Sequence, residues 1–270
     1  MKRVPIIILL LLLHYSIKAT DFNRMVGGRA VAMGRTAVAE RDVWSVQNNP
    51  AGLSLFQGWH LGLYYENQWL LKETAFKSGV MTVSFPKVGC FGLSVNHFGG
   101  SQYSESSFGL AYARSFGPYL QMGLRIDYLL LHFGEGYPNR NAFDFALGIQ
   151  SQITEKLRLG ACLIHPVTSR WETVNADQLP IMMRFGMSFQ FTKSFNGQIE
   201  LERDSGRDGI RIGAGFEYQL FDRFWMRAGV EHNPNIFSFG IGYQVGWLKI
   251  DISAQMHQVL GPAAMGGGEK

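Results

Sequence analysis

The sequence predicts an all-β fold, a transmembrane antiparallel up-and-down β-barrel, and three observations carry the prediction. Apolar and polar residues alternate with a period of two in stretches of about 9–11 residues, the length of a tilted membrane strand. The connections between those stretches are short and long in turn. Aromatic residues bracket nearly every short connection. Averages conceal this pattern, because the mean hydropathy lies near zero.

The chain opens with "MKRVPIIILLLLLHYSIKA", which has a basic start at Lys2 and Arg3, an apolar run from Val4 to Leu13 and Ala19 as a cleavage residue. Residues 1–19 therefore read as a secretory signal peptide, since a run of about ten apolar residues is half of what a membrane-spanning helix needs. Residues 20–56 lack strand alternation. They carry small residues at helical spacing from Arg29 to Ala39 and end in "NNPAGL", where Pro50 and Gly52 stop regular structure. Small, partly polar residues suit a plug packed within a barrel, with an exposed tail as the alternative.

Residues 57–257 form the barrel in this reading. In "GIRIGAGFEYQL" Ile210, Ile212, Ala214, Phe216, Tyr218 and Leu220 alternate with Arg211, Gly213, Gly215, Glu217 and Gln219. "MMRFGMSFQF", "NIFSFGIGYQV" and "WLKIDISAQM" repeat the pattern, as do stretches within 91–95, 108–112, 120–128, 143–149, 157–163 and 224–230. A soluble β-sandwich alternates too, but its polar face has no reason to be rich in glycine, which weakens a strand and marks close approach. The short connections are "PKVG", "GP", "TEK", "TKS", "LFD" and "QVG"; the long ones include "GEGYPNRN" and "HPVTSRWETVNADQLP". Short periplasmic turns and longer outside loops are the habit of outer-membrane barrels. Phe85 with Phe91, Phe116 with Tyr119, Phe191 with Phe195, and Tyr243 with Trp247 would form a girdle at the periplasmic interface.

On this reading the Ile- and Phe-bearing face meets lipid and the Arg- and Glu-bearing face lines the lumen. Folding the hairpins about their turns sets Glu202 opposite Arg211 and Glu217 opposite Arg227, cross-strand pairs that help fix register. Lumen glycines at 123, 148, 160, 186, 213, 215, 229, 240 and 242 leave room for a segment inside. The strand count is about thirteen, ending near Met256, and residues 258–270 read as an atypical, truncated tail. Bacterial single-chain barrels have an even number of strands. A shortened reading frame, a strand donated by the N-terminal segment, or a twelve-stranded barrel without 58–66 would each resolve the mismatch, the first being preferred.

Other function classes find little support. The net charge is +4, but Lys and Arg are scattered, so no nucleic-acid partner is expected. Cys90 and Cys162 are too few for a disulfide framework. No G-x-S-x-G, C-x-x-C or H-E-x-x-H motif occurs, and His97, His132, His165 and His232 fall at different strand ends and loops. The expectation is a non-enzymatic protein with no catalytic residue, cofactor or metal. Its partners are expected to be outer-membrane lipid and lipopolysaccharide.

Several stretches together resemble a family. "GGRAVAMGRTAVAERDVWSVQNNPAGL" is similar to the N-terminal signature of the PorV/PorQ-like outer-membrane proteins of Bacteroidetes, which belong to the broader FadL-like barrels. "FGGSQYSESSFGLAYAR", "LPIMMRFGMSF", "GIRIGAGFEY" and "MRAGVEHNPNIFSFGIGY" resemble its strand motifs in the same order. The resemblance spans nearly all of residues 24–261. It implies fourteen strands and an N-terminal hatch over 20–56 whose motif comprises Gly28, Arg29, Met33, Gly34, Asn49, Pro50, Ala51 and Gly52. It further implies a component of type IX secretion or surface attachment with envelope proteins of that system as partners. Passage of hydrophobic small molecules, as in FadL-like relatives, is the alternative. Arg170, Trp171 and Glu172, in the longest loop, are the best place for a partner to bind.

A charge moved to the lipid face at mid-membrane costs about 2–4 kcal/mol. Ile212→Lys is therefore expected to block stable assembly, whereas Gln219→Lys on the lumen face is tolerated; the amounts of each in outer-membrane fractions check this.

Overall fold

Alternation along each strand becomes two chemically opposed surfaces once the strands close on themselves. The computed structural model describes residues 22–67, 72–134, 137–166, 179–257 and 261–270. The signal region 1–19 and the loop residues Arg170, Trp171 and Glu172 lie outside these. The strands are β1 Trp59–Asn67, β2 Ala75–Phe85, β3 Gly89–Gly99, β4 Tyr103–Phe116, β5 Leu120–Phe133, β6 Arg140–Gln152 and β7 Leu157–Ile164. They continue with β8 Met182–Thr192, β9 Phe195–Asp204, β10 Arg211–Phe221, β11 Phe224–His232, β12 Ile236–Val245, β13 Leu248–His257 and β14 Gly261–Glu269. Each pairs antiparallel with its neighbours in sequence, and β1 pairs with β14 to close the barrel.

The two faces separate cleanly. On β12 and β13, Phe239 and Ile252 are 58% and 56% exposed, while the adjacent Ser238 and Asp251 are 0% and 3% exposed. Outward positions among the described residues are Leu, Ile, Val, Phe, Tyr and Met almost throughout. The charged exceptions Lys77, Arg114 and Arg203 each lie within three residues of a strand end, where a long side chain reaches a headgroup. Phe216 rather than Ile212 occupies the middle of β10, so the full hydrocarbon penalty belongs to Phe216→Lys. The block expected of Ile212→Lys is corrected to a milder effect, because that position is one residue from the strand end. Rings at the short-turn end touch one another, with Phe85 and Phe91 centroids 6.0 Å apart and Phe191 stacked on Phe195 at 5.1 Å.

The structure corrects two expectations at the C-terminus. The described residues form fourteen strands rather than thirteen, and Gly261–Glu269, within the expected atypical tail, is strand. β14 pairs with β13 from Lys249↔Glu269 to His257↔Gly261 and with β1 from Gly62↔Glu269 to Asn67↔Ala264. "GPAAMGGGE" shows no alternation because glycine and alanine have little side chain to alternate. Its backbone N–H and C=O groups pair regardless, and two otherwise open edges supply their partners.

The N-terminal segment also departs from its expected helical stretch over 29–39. The helix α1 covers only Gly28–Ala32. Gly34 and Arg35 then take left-handed conformations, with φ of 71° and 50°, and the chain turns away. A second short helix, α2, covers Ser45–Asn48, and Pro50–Leu55 forms a 3₁₀ turn. The Asn49 side chain caps that turn, accepting from the Ala51 N–H at 3.2 Å.

Deleting residues 261–270 is expected to abolish the barrel, because β1 and β13 would then present unpaired backbone groups to hydrocarbon at several kcal/mol each. Loss of heat-modifiable mobility on cold SDS gels is the readout.

Candidate functional site: the barrel lumen and its N-terminal segment

Inward-facing glycines bring the N-terminal segment against the wall. A Cβ at Gly215 or Gly229 would run into the backbone of Met33 and Gly34, at Gly160 into Val38, at Gly148 into the Asn49 side chain, and at Gly123 into Pro50. Gly34 is itself caught between carbonyls of Ala214 and Val230. Two strands and a loop can approach this closely only where side chains are missing.

The lumen divides into an apolar and a charged half. On one side Val26, Val31, Val43, Trp44, Val46 and Leu53 of the segment pack against Tyr64, Phe76, Val80, Cys90, Ala111, Ala113 and Met265 of β1–β4 and β14. Trp44 meets Tyr64 edge-on at 5.8 Å. The other side, β7–β13, is an ionic lattice. Glu202 lies in register with Arg211 and pairs with it at 3.2 Å, and it also accepts from Arg184 at 2.8 Å. Glu217 lies in register with Arg227 at 2.6 Å, and Arg227 reaches Asp251 at 2.6 Å.

The segment is tied into this lattice. Arg29 forms a two-pronged contact with Glu217, both N···O distances being 2.9 Å, and also pairs with Glu40. Glu200 accepts from the Ala37 and Val38 N–H groups at 2.7 and 2.8 Å. Arg211 donates to the Arg35 carbonyl at 3.0 Å and Arg158 to the Ala39 carbonyl at 2.9 Å. Asn49 donates to the Val38 carbonyl at 2.5 Å. Buried charges survive only when paired and hydrogen-bonded, and here strand carboxylates and segment arginines satisfy one another.

Of the hatch residues, Gly28, Arg29, Met33, Gly34, Asn49, Pro50, Ala51 and Gly52 are all buried. Arg29 carries the ionic tie, Asn49 and Pro50 the turn, and Met33 and Gly34 the close approach to β10 and β11. Sequence reading overlooked a further cluster toward the long-loop end. His165, read as a loop residue, is buried with its ring against Asp144 and Asn23. Arg125 pairs with Asp127 at 2.5 Å and donates to the Gln47 carbonyl, while Arg184 donates to the Asn23 carbonyl at 2.7 Å. Charged residues at inward positions of successive strands, Arg125 and Asp127 on β5, Asp144 on β6 and Arg184 on β8, were the available signal.

Above that cluster lies an apolar mouth, closed over by its own side chains. Leu129 and Leu131 of β5, Ala142 of β6 and Leu179 form a buried cluster, with Phe22, Tyr103 and Phe133 packed against it. Between the mouth and the segment, the void beside Asn23, Gln47, Arg125 and Asp127 is about 10 Å³, space for one water at most. At the short-turn end a polar cavity of about 430 Å³ is lined by Arg29, Arg41, Asp42, Trp225, Lys249 and Glu269 among others. Among the described residues, no cluster of three or more His, Cys, Asp and Glu is placed to hold a metal.

Solved structures share this architecture. The barrel superposes on the toluene transporter TodX of Pseudomonas putida with a TM-score of 0.63 and 12% identity, over 90% of this chain and 96% of that one. A deltaS2 mutant of the TodX monoaromatic hydrocarbon channel gives 0.67 at 10% identity, over 92% and 98%. A FadL homologue of Pseudomonas aeruginosa gives 0.60 at 13% identity, over 91% and 97%. At these identities the likeness is one of fold. No family model matches the chain, and no curated protein sequence matches it.

Removing one member of a buried ion pair costs about 3–5 kcal/mol because it strands the other charge. Glu217→Ala leaves Arg29 and Arg227 short of a carboxylate, so it is expected to loosen residues 22–56 while the strands persist. Faster amide exchange in α1 with unchanged exchange in β5 and β6 is the expected readout.

Proposed function

We propose that this chain is an outer-membrane channel for small hydrophobic molecules, non-enzymatic, with its N-terminal segment as the plug that gates it. The short turns face the periplasm and the long loops the outside. The observation that carries the reading is the apolar mouth of Leu129, Leu131, Ala142 and Leu179 at the long-loop end, seated directly over the hydrogen-bonded cluster that holds Asn23. These side chains are buried, so a hydrophobic molecule arriving from outside must part this apolar layer before it reaches the polar closure beneath. Likeness in fold to a toluene transporter and to a FadL homologue supports the same reading.

Passage then requires the segment to shift, since side chains fill the lumen beside Arg125 and Asp127. The contacts that must yield are hydrogen bonds and ion pairs rather than a wide apolar interface on the β7–β13 side.

A second reading, a secretion or surface-attachment component of the PorV/PorQ type, rests on the motif resemblance spread over 24–261. One experiment separates the two. The full-length chain, expressed in a host deprived of its own hydrocarbon channel, is expected to raise uptake of labelled toluene without raising uptake of a sugar of similar size. Leu131→Asp is expected to lower that uptake several-fold. Unchanged toluene uptake, with secreted cargo stranded in the periplasm when the gene is deleted from its own host, would favour the secretion reading instead.

A further inference from the structure

The outer wall carries a cation that the fold itself does not use. Lys77 is the third residue of β2 and lies on its outward face, exposed, in register with Tyr65 of β1 and His97 of β3. It pairs with no carboxylate among the described residues. His97 is held in place by Ser106 on β4, its Nδ1 lying 3.0 Å from the hydroxyl oxygen. Eight residues separate Lys77 from Phe85 in the short-turn girdle. At about 3.3 Å per residue and a strand tilt of roughly 40°, Lys77 stands roughly 20 Å above that girdle, near the upper edge of a ~25 Å apolar band.

Directly beneath it the wall is hollowed. Gly79, one outward position below Lys77, and Gly266 of β14 have no side chains, so the wall is indented between Leu63, Tyr65 and Val95. The resulting groove is shallow and open to the surrounding hydrocarbon, with a volume of about 460 Å³. Neither Gly79 nor Gly266 is needed for packing. A Cβ at Gly79 would touch only Leu63, at an ordinary 3.7 Å, and one at Gly266 only the Asp251 carbonyl at 4.0 Å.

We propose that this groove is a binding site for a phosphorylated glycolipid of the outer leaflet, of the lipid A class, with one acyl chain lying over Gly79 and a phosphate held by Lys77. Charge complementarity and position together select this occupant. An apolar groove facing hydrocarbon needs an apolar occupant, and an unpaired ammonium at the rim needs an anion. An amphiphile whose phosphate sits at the top of its acyl chains meets both demands at once. Ammonium–phosphate hydrogen bonds are the strong, charge-assisted kind. They gain further strength at an interface where water is scarce. The proposal rests on the outer-membrane orientation given above and is independent of what crosses the lumen.

The test uses the folded full chain in detergent, titrated with hexa-acyl bisphosphorylated lipid A and followed by native mass spectrometry. Heat-modifiable gel mobility confirms the fold of every variant. Wild type is expected to retain one lipid A. Lys77→Ala is expected to weaken retention about tenfold, the effect of losing one charge-assisted contact, with Lys77→Arg restoring it. Gly79→Leu fills the groove and is expected to abolish retention while leaving Lys77 in place. Dephosphorylated lipid A should bind wild type as weakly as lipid A binds Lys77→Ala. Equal retention by wild type and Lys77→Ala overturns the proposal. So does equal retention of phosphatidylglycerol, which would mark an ordinary annular contact. Because the readout is lipid binding by a folded barrel, its failure leaves the channel reading untouched, and loss of toluene uptake leaves this proposal untouched.

Discussion

Backbone closure is the constraint on which the rest of this structure depends. Strands surrounded by hydrocarbon have no water to satisfy an unpaired edge, so the first and last strands must find each other. Here β14 does so with a strand of glycine, alanine, proline and methionine that ends in one glutamate, next to a β1 that contributes Trp59, Leu61, Leu63 and Tyr65 to the outer surface. The seam holds because main-chain pairing does not ask what the side chains are. One outcome is a wall with shallow relief at the seam, where Gly266 and Gly268 leave the outer surface low between β1 and β13.

Closure fixes the outside and leaves the inside to be filled. Glycine at inward positions of β5, β6, β7, β10 and β11 lets the N-terminal backbone approach the wall, and the filling then differs by sector. Against β1–β4 the segment buries valines, a tryptophan and a leucine. Against β8–β13 it inserts Arg29 and offers the N–H groups of Ala37 and Val38 to strand carboxylates. The apolar sector supplies most of the cohesion, since ion pairs taken out of water roughly offset their own desolvation. The ionic sector supplies geometry: two-pronged contacts such as Arg29–Glu217 accept one alignment and reject a slip of a residue or two.

That division bears on the channel role proposed above. The charged half of the lumen is a poor solvent for a hydrophobic solute, and the apolar mouth lies at the long-loop end. The two facts are compatible if the solute binds at the mouth and the polar layer beneath acts as a closure. The buried His165–Asp144 contact, next to Asn23, sits at the boundary between the apolar mouth and the polar layer.

Period-two alternation, the two-stroke rhythm of connections and the aromatic brackets were legible in the sequence because each is a local response to a local solvent. A residue facing lipid must be apolar whatever its neighbours are, so the barrel and the facing of nearly every strand could be read one segment at a time. Register followed from turn length, which set Glu202 against Arg211 and Glu217 against Arg227. Three things were decided only in three dimensions. β14 has no alternation to read, and its identity as a strand comes from the two edges waiting for it. The partners of Arg29, Glu200 and His165 lie up to 188 residues away in sequence, and no local pattern encodes which charge meets which. The course of residues 22–56 was set by where the wall has glycines, which is why helical spacing from Arg29 to Ala39 yields one short helix and a left-handed turn at Gly34. Local chemistry determined which side of each strand faces lipid; the pairing of distant edges and charges, being a property of the closed barrel alone, was left to the tertiary structure.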